Sequence, residues 1–200
     1  MKKIKIFDLG SNTFRQTRNL IERFNKEREI VEVHTFEAQK ELALENLSQL
    51  KIDYPSINFI HNNVAAWNED TNLNFYECKK WGGNHKGGSS LIRHNGSNPN
   101  SIYEYDDAII TPAIDFIKYF EINTDESTYN FIKMDIEGAE YVVLPDLIES
   151  SCINNLNELA CEFHAEMYRE DLVLKNKFSS LDQKIKQILR ENNIKLSNWF

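Results

Sequence analysis

Four short segments carry side chains that could do chemistry together. The first is Asp8-Leu9-Gly10-Ser11-Asn12, where an apolar run ends in an acid and a glycine. Ligands of open α/β sheets sit outside the carboxyl ends of the strands. Glycine there lets the backbone approach a ligand and take a positive φ. The Asp8 carboxylate can attract a cationic group or simply hold the turn. The second segment is Glu37, which closes the next apolar run, His34-Thr35-Phe36. An acid at that place accepts hydrogen bonds from ribose hydroxyls, although an ordinary acid at a helix start is favoured by the helix dipole. The third, Asp135-Ile136-Glu137-Gly138-Ala139-Glu140, crowds three carboxylates into six residues. Such crowding raises pKa values unless a cation or a proton relieves it; Glu140 escapes it if it faces solvent. The fourth is Glu162-Phe163-His164, at the end of another apolar run. Strand alternation predicts Glu162 and His164 on one face, with Cys161 and Phe163 on the other. That face is either part of a site or the solvent side of an edge strand.

The elements that must position these groups alternate between short apolar runs and helical periodicity, the mark of βα units and a parallel sheet. Strands are predicted at 4–9, 30–36, 57–61, 131–134, 156–164 and 194–200, with a further one at 72–78. Helices are predicted at 14–27, 38–50, 114–120 (starting near Thr111-Pro112), 139–144 and within 171–191. Phe14, Leu20, Ile21 and Phe24 face inward on the first helix, Ala43, Leu47 and Leu50 on the second, and Ile185, Ile188 and Leu189 on the last. Residues 79–107 break the pattern. Five of the seven glycines lie between Gly82 and Gly96, among Trp81, His85, Lys86 and His94. This reads as a long flexible loop, either a lid that helps select a substrate or plain disorder. Trp81 could stack on a sugar face or merely pack.

Two hundred residues fit one domain, 1–200. A net charge of −8 argues against nucleic acid as a partner. The N-terminus shows no signal-peptide core, and no apolar stretch is long enough to span a bilayer. Cys78, Cys152 and Cys161 form neither a zinc pattern nor a disulfide framework, which points to a reducing, cytoplasmic setting.

Taken in order, these segments resemble the FkbM-type methyltransferases. That family's Asp-Val-Gly-Ala-Asn, Phe-Glu-Pro, Asn-x-Ala, Asp-x-Glu-Gly-x-Glu and Glu-x-His have counterparts here. They are Asp8-Leu9-Gly10-Ser11-Asn12, Phe36-Glu37-Ala38, Asn63-Val64-Ala65, Asp135-Ile136-Glu137-Gly138-Ala139-Glu140 and Glu162-Phe163-His164. Ser89-Ser90, followed by Ile114-Asp115-Phe116, is similar to further family segments. Phe14 stands where the family has glycine, and Ala38 where it has proline. The resemblance implies a Rossmann-like class I methyltransferase fold: a central, mostly parallel sheet with helices on both faces. That fold normally closes with an antiparallel strand pair. Only one candidate strand is present, so the chain reads as a minimal member or a piece of a larger protein with further domains.

The resemblance also assigns roles. Asp8, Gly10, Ser11 and Asn12 would line the methionine end of S-adenosylmethionine, and Glu37 with Ala38 would hold its ribose. Asn63, Val64 and Ala65 would approach the adenine, and Asp135 would complete the set. The family implies O-methyl transfer to a sugar, glycan or small-molecule hydroxyl. Glu137 is the first candidate for base because it follows a strand end; His164 is the second, being nearest neutrality. Asp135 and Glu162 could hold Mg²⁺. A nicotinamide oxidoreductase wants Gly-x-Gly-x-x-Gly, and the stretch from Gly10 offers one glycine. The remaining alternative is a degenerate, non-catalytic domain that recognises a partner or a glycan.

Overall fold

A computed structural model describes residues 3–78, 87–93, 107–168 and 171–197, with residues 40–45 described in backbone only. Trp81, His85, Lys86 and His94 lie outside the described residues, as does the side chain of Ala43.

Strands β1 (Lys3–Leu9), β2 (Glu29–Phe36), β3 (Asn58–Asn62), β7 (Tyr129–Met134), β8 (Leu156–Cys161) and β9 (Lys195–Ser197) form one sheet in the order β3-β2-β1-β7-β8-β9. Every neighbouring pair is parallel. Helices α1 (Arg15–Phe24) and α2 (Lys40–Asp53) cover one face; α3 (Phe116–Asn123), α4 (Glu140–Glu149) and α5 (Leu172–Glu191) cover the other. Strand alternation explains this division. Ile4 and Ile6 of β1 pack with Leu20, Ile21 and Phe24 of α1 and with Leu47 and Leu50 of α2. Phe7 and Leu9 point the opposite way, into Phe116, Phe120, Val143, Leu147, Ile185 and Leu189. A sheet covered on both faces needs near-continuous apolar strands, which is how the sequence reads.

Three expectations are corrected. The helix expected over 114–120 starts later, because Ile109–Asp115 is a strand, β6, between β4 (Ala65–Trp67) and β5 (Thr71–Phe75) in a small second sheet. Pro112 does not open a helix. It precedes the β4-paired stretch Ala113–Asp115, so only β5 runs beside it and no second ladder needs its missing N–H. Asp115 instead caps α3, accepting from the Lys118 N–H at 3.0 Å. Second, β8 stops at Cys161, short of the expected 164, yet Glu162 and His164 still lie on one side, with Cys161 and Phe163 packed against the core on the other. Third, Phe14 is not on the inner face of α1. It caps that helix with φ 60° and is buried in the core beside His61. Leu189 and Ile185 of α5 are buried as expected, while Ile188 is half-buried. The last strand, β9, is parallel to β8.

Gly10 is the tightest point of the fold. Its φ is +76°, and a Cβ there would lie 1.8 Å from the Asp135 carbonyl oxygen. The β1 and β7 ends touch at this point, with the Asp135 N–H donating to Leu9 O at 3.1 Å. Gly10→Ala meets both a left-handed backbone penalty of about 1–2 kcal/mol and a backbone clash. Its Tm is expected to fall by roughly 4–8 °C or more. An unchanged melting curve would show that the two strand ends can separate freely.

Candidate active site

The chain leaves β1 toward β2 and β3, then returns across the sheet to β7, so the strand order reverses between β1 and β7. A cleft opens at the carboxyl edge beside this reversal, as the general rule for such sheets requires. Its volume is about 520 Å³, within the range of small-molecule and cofactor sites.

The β1 turn forms one wall. Gly10 and Ser11 both donate backbone N–H groups to Phe36 O, at 3.0 and 3.1 Å, which laces the β1 and β2 ends together. Asn12, with φ 45°, donates its N–H to Glu37 Oε2 at 2.7 Å. Glu37 Oε1 accepts the Gln39 N–H at 2.8 Å. Burial raises the Glu37 pKa against the pull of these two amides. Gly10, Ser11, Asn12, Glu37, Ala38, Val64 and Ala65 all line the cleft.

Two residues assigned to the cofactor do not line it. Asn63 stands behind, donating Nδ2 to the Glu37 carbonyl at 2.7 Å. Asp8 is fully buried beneath the turn, where Thr17 Oγ1 donates to its Oδ2. Its partner is Lys133, with Nζ 2.9 Å from Asp8 Oδ1 and 2.6 Å from Gly10 O. Lys133 is 1% exposed. Burial works against its charge, yet Asp8 and Asp135 hold its pKa above the ordinary lysine value. Sequence reasoning missed this residue. The signal was a lysine inside the apolar run Phe131-Ile132-Lys133-Met134, since a buried lysine needs a paired charge.

The far wall carries the remaining acids. Asp135, Glu137 and Glu162 line the cleft. Glu137 takes φ 53°, unusual for a residue with a side chain. A strap at Gly87–Leu91 holds it there: the Gly88 N–H donates to Glu137 Oε1 at 3.0 Å, and Ser90 Oγ donates to its carbonyl at 2.6 Å. Burial pushes the Glu137 carboxyl up to about 7. Glu140 is not a surface acid. It is completely buried, and its Oε2 accepts the Gly138 N–H at 2.8 Å. Its Oε1 accepts the His164 backbone N–H at 2.8 Å and lies 3.1 Å from Nδ1 of the same residue. His164 itself sits behind the lining residues. Burial lowers its pKa, but Glu140, Glu137 and Asp135 outweigh that and raise it to about 9. Glu140 was read as a candidate surface residue; its role in fixing His164 could not be foreseen from spacing.

An all-parallel sheet with this acid-and-glycine cleft at its strand-order reversal defines a Rossmann-like α/β protein. More narrowly, the chain belongs to the FkbM methyltransferase family: the model of the methyltransferase FkbM domain matches residues 8–196. The chain is also similar to the crystal structure of methyltransferase FkbM from Methylobacillus flagellatus KT, at 18% identity and a TM-score of 0.49. That match covers 88% of this chain and 37% of the other, so the chain spans little more than a third of that protein's length. Among curated proteins none matches. No helix among the described residues is long and apolar enough to cross a membrane.

Proposed function

We propose that this protein transfers a methyl group from S-adenosylmethionine to a hydroxyl of a sugar, glycan or small molecule. The observation that carries this reading is that one cleft joins the clamped acid at the β2 end, Glu37, to the acid wall at the β7 and β8 ends. The residues suit the cofactor. The Gly10 turn brings backbone to the cleft edge with no side chain in the way, and Glu37 offers carboxylate lone pairs for ribose hydroxyls. Phe14 is not among the lining residues, so its bulk does not obstruct the cleft.

S-adenosylmethionine would supply an electrophilic methyl on a sulfonium sulfur. The chain's own contribution is chiefly placement, for which about 7–11 kcal/mol is available in principle. The turn at Gly10–Asn12 and Glu37 fix one reactant; the acid wall fixes the other. Glu137 would take the proton of the acceptor hydroxyl as it is methylated. Its carboxylate lines the cleft and is braced by the Gly88 amide, so it needs little rearrangement. His164, set back and held by Glu140, serves as a positive neighbour to that carboxylate, with Nε2 3.5 Å from Glu137 Oε2. The thiols of Cys152 and Cys161 are free of disulfides, which supports a reducing, cytoplasmic setting. The net negative charge supports a small-molecule or carbohydrate acceptor over nucleic acid. Further domains of the same polypeptide are part of the reading.

S-adenosylhomocysteine at about 100 times its Kd should stabilise the fold by about 2.7 kcal/mol, a Tm rise of roughly 5–11 °C. Methyl transfer from labelled S-adenosylmethionine to a panel of hydroxylated acceptors then tests the reaction. A flat melting curve with millimolar S-adenosylhomocysteine would remove the cofactor and the function with it, leaving the non-catalytic domain.

A further inference from the structure

We propose that Asp135, Glu162 and His164 form a site for one divalent transition-metal cation, of the Mn²⁺ or Zn²⁺ type rather than Mg²⁺, in the acid wall of the cleft. Each residue offers one ligand atom, and the three atoms lie within 4.8 Å of one another. Metal–ligand lengths of about 2.1 Å put neighbouring ligands about 3 Å apart, so a cation would draw the three slightly inward.

His164 lifts this group above a mere cluster of acids. Its side chain is only 8% exposed, and Nε2 makes no hydrogen bond among the described residues. Around that nitrogen stand Glu137 Oε2 at 3.5 Å, Asp135 Oδ1 at 3.7 Å and Glu162 Oε1 at 3.9 Å. Nε2 faces the space between these three oxygens. The other ring nitrogen is accounted for. Glu140 accepts from Nδ1, which fixes the ring plane and turns Nε2 toward the acids. A buried carboxylate behind a histidine, orienting it toward a cation, is the recurring support of metal-bound imidazole. Charge points the same way. Asp135, Glu137, Glu140 and Glu162 surround one imidazole, while Lys133 nearby is engaged with Asp8. A divalent ion relieves that excess better than a single proton.

The donor set decides the metal. Mg²⁺ prefers all-oxygen octahedra with several waters, whereas imidazole nitrogen favours first-row transition ions. Three protein ligands leave positions open to the cleft, since Asp135 and Glu162 both line it. If the methyl-transfer reading is right, an acceptor hydroxyl reaching such a position would have its pKa lowered; binding of the ion does not depend on that reading.

The test is Mn²⁺ itself, followed by the electron paramagnetic resonance signal of the free ion, on chelator-treated protein. The expected result is saturable binding of one Mn²⁺ per chain, displaced by Zn²⁺. Mg²⁺ should need about tenfold or more excess to compete. Glu162→Gln should weaken Mn²⁺ by about tenfold or more, while Glu166→Gln, outside the cluster, should not. No saturable binding up to about 1 mM Mn²⁺, in the range of weak oxygen sites, would overturn the proposal. So would equal affinity in Glu162→Gln, or Mg²⁺ competing on even terms. Melting curves with S-adenosylhomocysteine on the same samples separate the two ideas. A cofactor shift without Mn²⁺ binding sinks only the metal site; Mn²⁺ binding without a cofactor shift sinks only the methyl-transfer reading.

Discussion

Lys133→Met is expected to lower the unfolding free energy by about 3–5 kcal/mol, the cost of stranding one partner of a buried ion pair. The methionine fills the space of the lysine stem, so lost packing is small. What remains is Asp8, fully buried, with Thr17 as its other side-chain partner. Two more bonds vanish, because Lys133 Nζ also donates to Gly10 O and Leu9 O. These bonds tie the β1 turn to β7, so the turn should loosen and cofactor affinity should fall with stability. For a chain of this size the Tm drop is roughly 6–20 °C. Asp8→Asn combined with Lys133→Met removes both charges and should recover part of the loss, since an apolar or neutral replacement of a buried pair is often tolerated. Urea unfolding checks both. A single-variant loss under about 1 kcal/mol, the scale of an exposed pair, would show that the ammonium is not structurally required.

The legible parts of this protein share a cause. The parallel sheet follows from apolar runs whose lengths and spacing admit little else, and an acid or glycine just after such a run must fall at the carboxyl edge. That is why Gly10, Glu37, Asp135 and Glu137 could be placed at the cleft from the chain alone. The illegible parts depend on contacts between distant residues. β4 is too short and β6 too mixed to show a period, and Pro112 imitates a helix start until β5 and β4 are seen beside it. Asp8 occupies the family's motif position, yet it faces inward because Lys133, 125 residues later in the chain, claims it. Phe14 is similar: nothing local shows whether a bulky side chain in a left-handed turn points to the cleft or the core, and the apolar pocket around Ile6, Leu20 and Phe59 settles it. His164 and Glu162 share a side as alternation predicts, but nothing local shows that Glu140, at the start of α4, binds both the backbone and the ring of His164.

Glu137→Gln is expected to lower turnover by roughly 10²–10⁴-fold, the usual contribution of a positioned base, while leaving S-adenosylhomocysteine affinity unchanged. The substitution is nearly isosteric. The amide oxygen can still accept from the Gly88 N–H, and the backbone bond from Ser90 Oγ to the Glu137 carbonyl does not involve the side chain. The left-handed turn is as available to glutamine as to glutamate. Fold, strap and cofactor wall should therefore survive, and melting temperature should stay close to that of the parent. What glutamine cannot do is take a proton from an attacking hydroxyl. An unassisted alcohol is a weak nucleophile, so the loss should appear in kcat and kcat/KM together, as for an interaction made only in the transition state. His164 cannot substitute: it is set back from the cleft, and the acids around it favour its protonated form. Single-turnover methyl transfer measures the chemical step directly. Turnover within a few-fold of the parent would take the proton away from Glu137 and leave the acid wall with a purely electrostatic part in the reaction.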